Sequence, residues 1–119
     1  MLQCYNQVNT KYDSYVELFT DASGDVFNGT AIKQIADKGV PLQKLVVGKP
    51  VTFQDASNSG YVKQTDLGQW ALKAYQELGW FAGIGHWQYP SDKTGGQAII
   101  DAAGPLMAAC AESGTCVEQ

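Results

Sequence analysis

Three short segments carry the side chains best suited to holding a neutral polar ligand: Gln3-Cys4-Tyr5-Asn6, Gly48-Lys49-Pro50 and His86-Trp87-Gln88-Tyr89. The amides of Gln3 and Asn6 both donate and accept hydrogen bonds, whereas the Lys49 ammonium only donates. The rings of Tyr5, Trp87 and Tyr89 offer flat apolar faces with a polar tip. Together these groups could orient a polyhydroxylated ring, whose C–H face stacks on an aromatic while its hydroxyls meet amides. Asp55 and Asn58, within a run of small polar residues, carry chemistry that also orients hydroxyls. Each residue has a plainer role beside this one. Aromatics are core residues by default, Asp and Asn form turns, and a lysine at a strand end is ordinarily solvated. Gln3 and Tyr5 alternate with Cys4 and so share one strand face, which equally suits a buried polar pair.

Other chemistries find less support. His86 is the only histidine, which leaves no multi-histidine metal site. Asp21-x-Ser23-x-Asp25 imitates a calcium loop, but Val26 stands where the sharp turn needs glycine and Ile32 where a bidentate glutamate belongs. The carboxylates Glu17, Asp37, Asp66, Glu77, Glu112 and Glu118 are scattered, with no arrangement of a proton donor beside a second charge stabiliser. No cofactor motif is present. A formal charge of −4, an isoelectric point near 4.7 and basic residues that are all lysines argue against nucleic acid and anionic membrane surfaces as partners. No run approaches the roughly 20 apolar residues of a membrane span.

The length of 119 residues, with 45% hydrophobic and only 17% charged, fits one globular domain over 1–119. Cys110 and Cys116 enclose the polar run Ala-Glu-Ser-Gly-Thr and are expected to form a disulfide, which points to an oxidising compartment. Cys4, inside an apolar strand, reads as a buried free thiol. The chain opens on a strand-like segment without a charged-then-apolar leader, as a mature secreted form would. Asn28-Gly29-Thr30 matches a glycosylation acceptor, and equally a helix start.

The elements that must position these groups follow from periodicity. Strands are expected at 1–6, 15–20, 44–50 and 82–87, with a brief one at 60–62. A helix is expected over 30–38, capped by Asn28 and Thr30 and ended by Gly39. A stronger one is expected over 65–78, capped by Thr65, with Leu67, Trp70, Ala71, Ala74, Tyr75 and Leu78 at helical spacing and Gly79 at its end. A final helix falls within 94–110, broken near Gly104-Pro105. Trp70 and Trp80 are expected to be structural. Alternating strands and helices give a parallel sheet whose ligands lie beyond the carboxyl ends of the strands.

At those strand ends the sequence resembles a known family. Leu2-Gln-Cys-Tyr-Asn-Gln7, Lys44-Leu-Val-Val-Gly-Lys-Pro50 and Ala82-Gly-Ile-Gly-His-Trp-Gln-Tyr89, with Phe27-Asn-Gly-Thr-Ala31 and Leu78-Gly-Trp80, look like the sixth to eighth strands of the (β/α)₈ barrel of family 18 chitinases. The resemblance implies that Gln3 and Tyr5 hold an N-acetyl group and that Trp87 forms the floor beneath the sugar. The family's acidic Asp-x-x-Asp-x-Asp-x-Glu run is absent from the chain, which removes the expected proton donor. A half-barrel that keeps its sugar-facing ends without the acid is similar to the small antiviral glycan-binding lectins of mushrooms. That resemblance implies an α/β fold: a single αβα sandwich with a largely parallel, half-barrel-like sheet that two subunits of a secreted homodimer can extend. The function it implies is non-catalytic binding of N-acetylhexosamine glycans or glycoproteins, without metal or cofactor. The residues expected to carry it are Gln3, Tyr5 and Trp87 by resemblance and Asn6, Lys49, Asp55 and Tyr89 by their own chemistry. A chitinase-like hydrolase fragment and a protein-binding defence effector are the alternatives.

Overall fold

The computed structural model describes residues 1–7, 9–23 and 27–87. Tyr89, the Cys110 and Cys116 pair and the helix expected within 94–110 lie outside the described residues. Three strands, β1 (Leu2–Gln3), β2 (Val47–Pro50) and β3 (Ile84–Trp87), form a parallel sheet in that spatial order. Two helices, α1 (Ile32–Asp37) and α2 (Gln64–Leu78), make the connections. The chain is therefore an α/β protein with a parallel sheet, as the alternation of elements required.

The register aligns Leu2, Val47 and Ile84 across the sheet, then Gln3, Gly48 and Gly85, then Lys49 with His86 and Pro50 with Trp87. Side chains alternate along each strand, so the row holding Val47 and the row holding Lys49 face one way, and Gly48 and Trp87 face the other. The first face is the core. Leu45 and Val47 pack there with Leu18, Phe19, Ile32, Leu67, Ala71, Ala74 and Trp80, and Leu2 and Ile84 join at its margin. Fully burying apolar side chains of this size stabilises by about 1.5–3 kcal/mol each. Helix α2 contributes Leu67, Ala71 and Ala74 from one stripe, and Gly79 ends it in the left-handed conformation at φ 74°. Trp80 is fully buried, sets its edge against Phe19 at 5.0 Å, and donates its indole N–H to the Leu45 carbonyl at 2.8 Å.

Several local expectations give way to tertiary contacts. Residues 15–20, expected as a strand, contain a π-helical turn, Val16–Thr20. Tyr15, Leu18, Phe19 and Ala22 are buried while Val16 is 56% exposed, a helical rather than an alternating pattern. Ser14 Oγ accepts the Glu17 N–H, opening the turn as a capping serine does. The brief strand at 60–62 does not form. The N-terminal helix begins after Ala31, not at Thr30, because Gln34 Oε1 accepts the N–H groups of both Ala31 and Ala22. Thr30 instead shares a 2.7 Å hydrogen bond with the Tyr12 hydroxyl and donates to the Phe27 carbonyl. Thr65 lies inside α2, whose N-cap position is Lys63.

The outer edge of β1 is closed by its own side chains. Leu2 and Cys4 donate their N–H groups to Val46 and Gly48 on the β2 side, so Gln3 turns its backbone outward. The Gln7 amide donates to the Gln3 carbonyl at 3.2 Å, and the Gln3 amide donates to the Tyr5 carbonyl at 3.2 Å.

Candidate functional site

Two surfaces meet at the carboxyl ends of the strands. The first is the sheet face opposite the core. Register and alternation put Gln3 on it in one row with Gly48 and Gly85, and Trp87 in the next outward row beside Pro50. Two inter-strand spacings separate the outer strands, about 10 Å. Trp87, at the end of the outer strand β3, is 53% exposed, and Gln3 is also exposed. The glycines leave the floor between them without side chains. The flexible Met1 side chain, itself 81% exposed, rests against both glycines, and Gly48 and Pro50 of the central strand are buried.

The second surface is a cleft of about 330 Å³ between the loop after β1 and the loop after β2. Lys11 and Asp13 come from the first loop and Phe53, Asn58, Ser59 and Tyr61 from the second. Phe53 sits in a 3-10 turn, Phe53–Asp55, whose start is fixed by Asp55. Asp55 Oδ2 accepts both the Thr52 N–H at 3.0 Å and the Thr52 hydroxyl at 2.9 Å. Asp55 thus has the turn-forming role rather than facing a ligand with that oxygen.

The loop over the cleft is stitched to β1 at three points. Asn6 adopts a left-handed φ of 56°, which asparagine tolerates better than most residues, and its Oδ1 accepts the Asn58 N–H at 3.0 Å. The Asn6 N–H reaches the Ser59 carbonyl at 2.8 Å. Gly60, at φ 99°, presses so closely on Tyr5 that a Cβ would overlap the Tyr5 backbone. Only glycine fits there.

Lys49 is the third stitch, and here the expected role fails. The sequence reading offers its ammonium to a ligand, but its side chain is fully buried. The strand runs on to Pro50, and alternation carries Lys49 to the core face with Val47. There its three donors meet three backbone carbonyls, Cys4 at 2.8 Å, Tyr12 at 2.5 Å and Gly60 at 2.9 Å. The ammonium therefore ties the end of β1, the loop after it and the loop after β2 into one unit. Burial pulls its pKa from 10.5 down to about 8, with the Cys4, Asp13 and Glu17 charges opposing that shift. Cys4 is a buried free thiol, as read from the sequence, and burial pushes it from 9.0 up to about 11, against the pull of Lys49. Burial also raises Tyr12, and raises Tyr15 further together with the carboxylate of Glu77, to which the Tyr15 hydroxyl donates at 2.7 Å.

The residues singled out in the sequence thus divide. Gln3 and Trp87 are exposed on the sheet face opposite the core, on either side of the buried Gly48 and Pro50. Tyr5, half-buried, and Asn6 hold the loop over the cleft, as do Lys49 and Asp55 from inside. Trp80 is structural, and Trp70 packs at the margin of the core. Phe53, in an expected loop, and Tyr61, in the brief strand expected at 60–62, carry no role in the sequence reading, although an aromatic pair flanking a run of Asp, Ser, Asn and Gly stands out from its surroundings. Among the described residues no three of His, Cys, Asp and Glu come together as a metal site, and no helix is long and apolar enough to cross a membrane. No protein family, curated protein or solved structure matches the chain.

Proposed function

We propose that the chain is a carbohydrate-binding protein that holds N-acetylated glycans at the exposed Trp87 and Gln3 of the sheet face opposite the core, without cleaving them. The observation that carries this reading is Trp87, a large ring 53% exposed at the carboxyl end of β3, on the same sheet face as the Gln3 amide and beside the glycine floor. An exposed indole next to amide groups supplies stacking and hydrogen bonding to a neutral ring, and a charge of −4 without arginine suits a neutral ligand better than an anionic one. The resemblance to family 18 chitinases adds to the reading at Gln3, Tyr5 and Trp87, and the missing acidic run argues for binding over hydrolysis. In a secreted homodimer two such faces would strengthen attachment to a glycan-coated surface by effective concentration alone.

A glycan array with the whole chain, repeated with Trp87→Ala after circular dichroism has established that the variant is folded, tests this. Selective binding to N-acetylhexosamine glycans that disappears in the folded variant supports the site. A blank array with the parent protein removes the carbohydrate reading and favours a protein-binding effector.

A further inference from the structure

We propose that the cleft between the loops after β1 and β2 is a second subsite, for a further neutral sugar ring of the same glycan, so that the natural ligand is an oligosaccharide. The proposal rests on the carbohydrate-binding reading. Its argument comes from residues that play no part in the sheet face opposite the core.

Phe53 is 72% exposed, an unfavourable placement for a large apolar ring, and it is held there by the Thr52 and Asp55 hydrogen bonds instead of being free to fold inward. Tyr61 meets it edge-on, with ring centres 6.1 Å apart and planes at 87°. Two rings at a right angle form a corner, with one face to stack on and one edge to bound. Ser57, Asn58 and Ser59 line the same cleft with hydroxyl and amide groups. Ser59 Oγ donates to Asn58 Oδ1 at 2.9 Å, which leaves the Asn58 NH₂ to donate onward. One lysine and one aspartate, Lys11 and Asp13, balance the cleft's charge, so an anion has no special claim on it. A volume of about 330 Å³ lies at the low end of the roughly 300–1,000 Å³ of small-molecule sites, the size for one ring and not a whole chain.

The cleft is also preformed. Asn6, Gly60 and buried Lys49 fix the loop that carries Asn58, Ser59 and Tyr61, so little ordering is left for a ligand to impose. A loop needed only to connect β2 to α2 would not require a buried ammonium and a left-handed asparagine to hold an exposed aromatic corner in place.

The test is calorimetric titration of the whole chain with N-acetylglucosamine and with its β-1,4-linked trimer and tetramer, in the parent, Phe53→Ala and Trp87→Ala. Amide shifts of Ser57 to Tyr61 are followed by NMR with the same ligands. Because Phe53 is exposed, its replacement leaves the fold intact. The expected result is that oligomers bind the parent more tightly than the monosaccharide and shift the 57–61 amides. Phe53→Ala should then weaken the oligomers about tenfold, the loss expected of one aromatic contact, while leaving monosaccharide binding unchanged. Oligomer binding that is equally tight in Phe53→Ala and parent overturns the second subsite alone. A parent that binds none of the three sugars overturns it together with the carbohydrate reading.

Discussion

Replacing Lys49 with methionine keeps most of the aliphatic stem and removes the ammonium shared by the carbonyls of Cys4, Tyr12 and Gly60. A buried acceptor left without a donor costs about 1–3 kcal/mol, so the three together cost roughly 3–9 kcal/mol. Removing the charge offsets part of this, since a drop in pKa from 10.5 to about 8 corresponds to about 3 kcal/mol of burial penalty at neutral pH. The expected net loss is about 3 kcal/mol in urea unfolding at pH 7. The pH profile isolates the lysine. Between pH 8 and 10.5 the unfolded chain holds the Lys49 proton and the folded chain has released it, so this group makes stability rise with pH. Cys4 acts in the opposite sense between 9 and 11, where the folded thiol is still protonated and the unfolded one is not. The parent should therefore gain roughly 1 kcal/mol from pH 8 to 9 and then level off. Lys49→Met should lose that rise and decline from pH 9 onward. A variant within about 0.5 kcal/mol of the parent at pH 7, or one that keeps the rise from pH 8 to 9, would refute the account of Lys49 as a buried, carbonyl-bound cation.

Other perturbations report on the same framework. Gly60→Ala places a methyl group on the Tyr5 backbone at a φ of 99° and should cost more than about 2 kcal/mol in chemical unfolding, the steric overlap adding to the left-handed strain. Asn6→Ala removes the acceptor for the Asn58 N–H and should cost about 1–2 kcal/mol, with faster hydrogen exchange at Asn58 but not at Ala71 or Ala74 of α2. Trp80→Phe leaves the Leu45 carbonyl without its donor and opens space beside Phe19. A loss of about 2–4 kcal/mol in Tm-derived stability is expected, with the parallel sheet retained. Tyr15→Phe removes only the hydrogen bond to Glu77 and should cost about 1 kcal/mol, measured in the same unfolding assay.

The parallel sheet and both helices were legible in the sequence because each rests on a local signal. Leu45-Val46-Val47 is a short branched run, Leu67 to Leu78 has a helical period, and Gly79 marks a helix end. The π-helical turn at Val16–Thr20 was misread because Tyr15, Val16, Phe19 and Thr20 favour strands by type. Burial of Leu18 and Phe19 in the core, Phe19 against Trp80, with Ser14 and Glu17 at the N-terminus of the turn, decided otherwise. The serine and glutamate spacing was the readable clue. Lys49 was misplaced for a different reason. Its type predicts solvent, and nothing nearby in sequence shows that Cys4, Tyr12 and Gly60 converge on it from 45, 37 and 11 residues away. The cleft shares that cause, being formed by two loops far apart in the chain.

The glutamine pair along β1 bears on how copies of the molecule could come together. A parallel sheet has two unlike edges, and if both were bare, the first strand of one copy could seat on the last strand of the next without end. Such head-to-tail addition does not close and builds filaments. With the carbonyls of Gln3 and of Tyr5 just beyond β1 engaged by glutamine amides, strand addition at that edge of every copy must compete with these contacts.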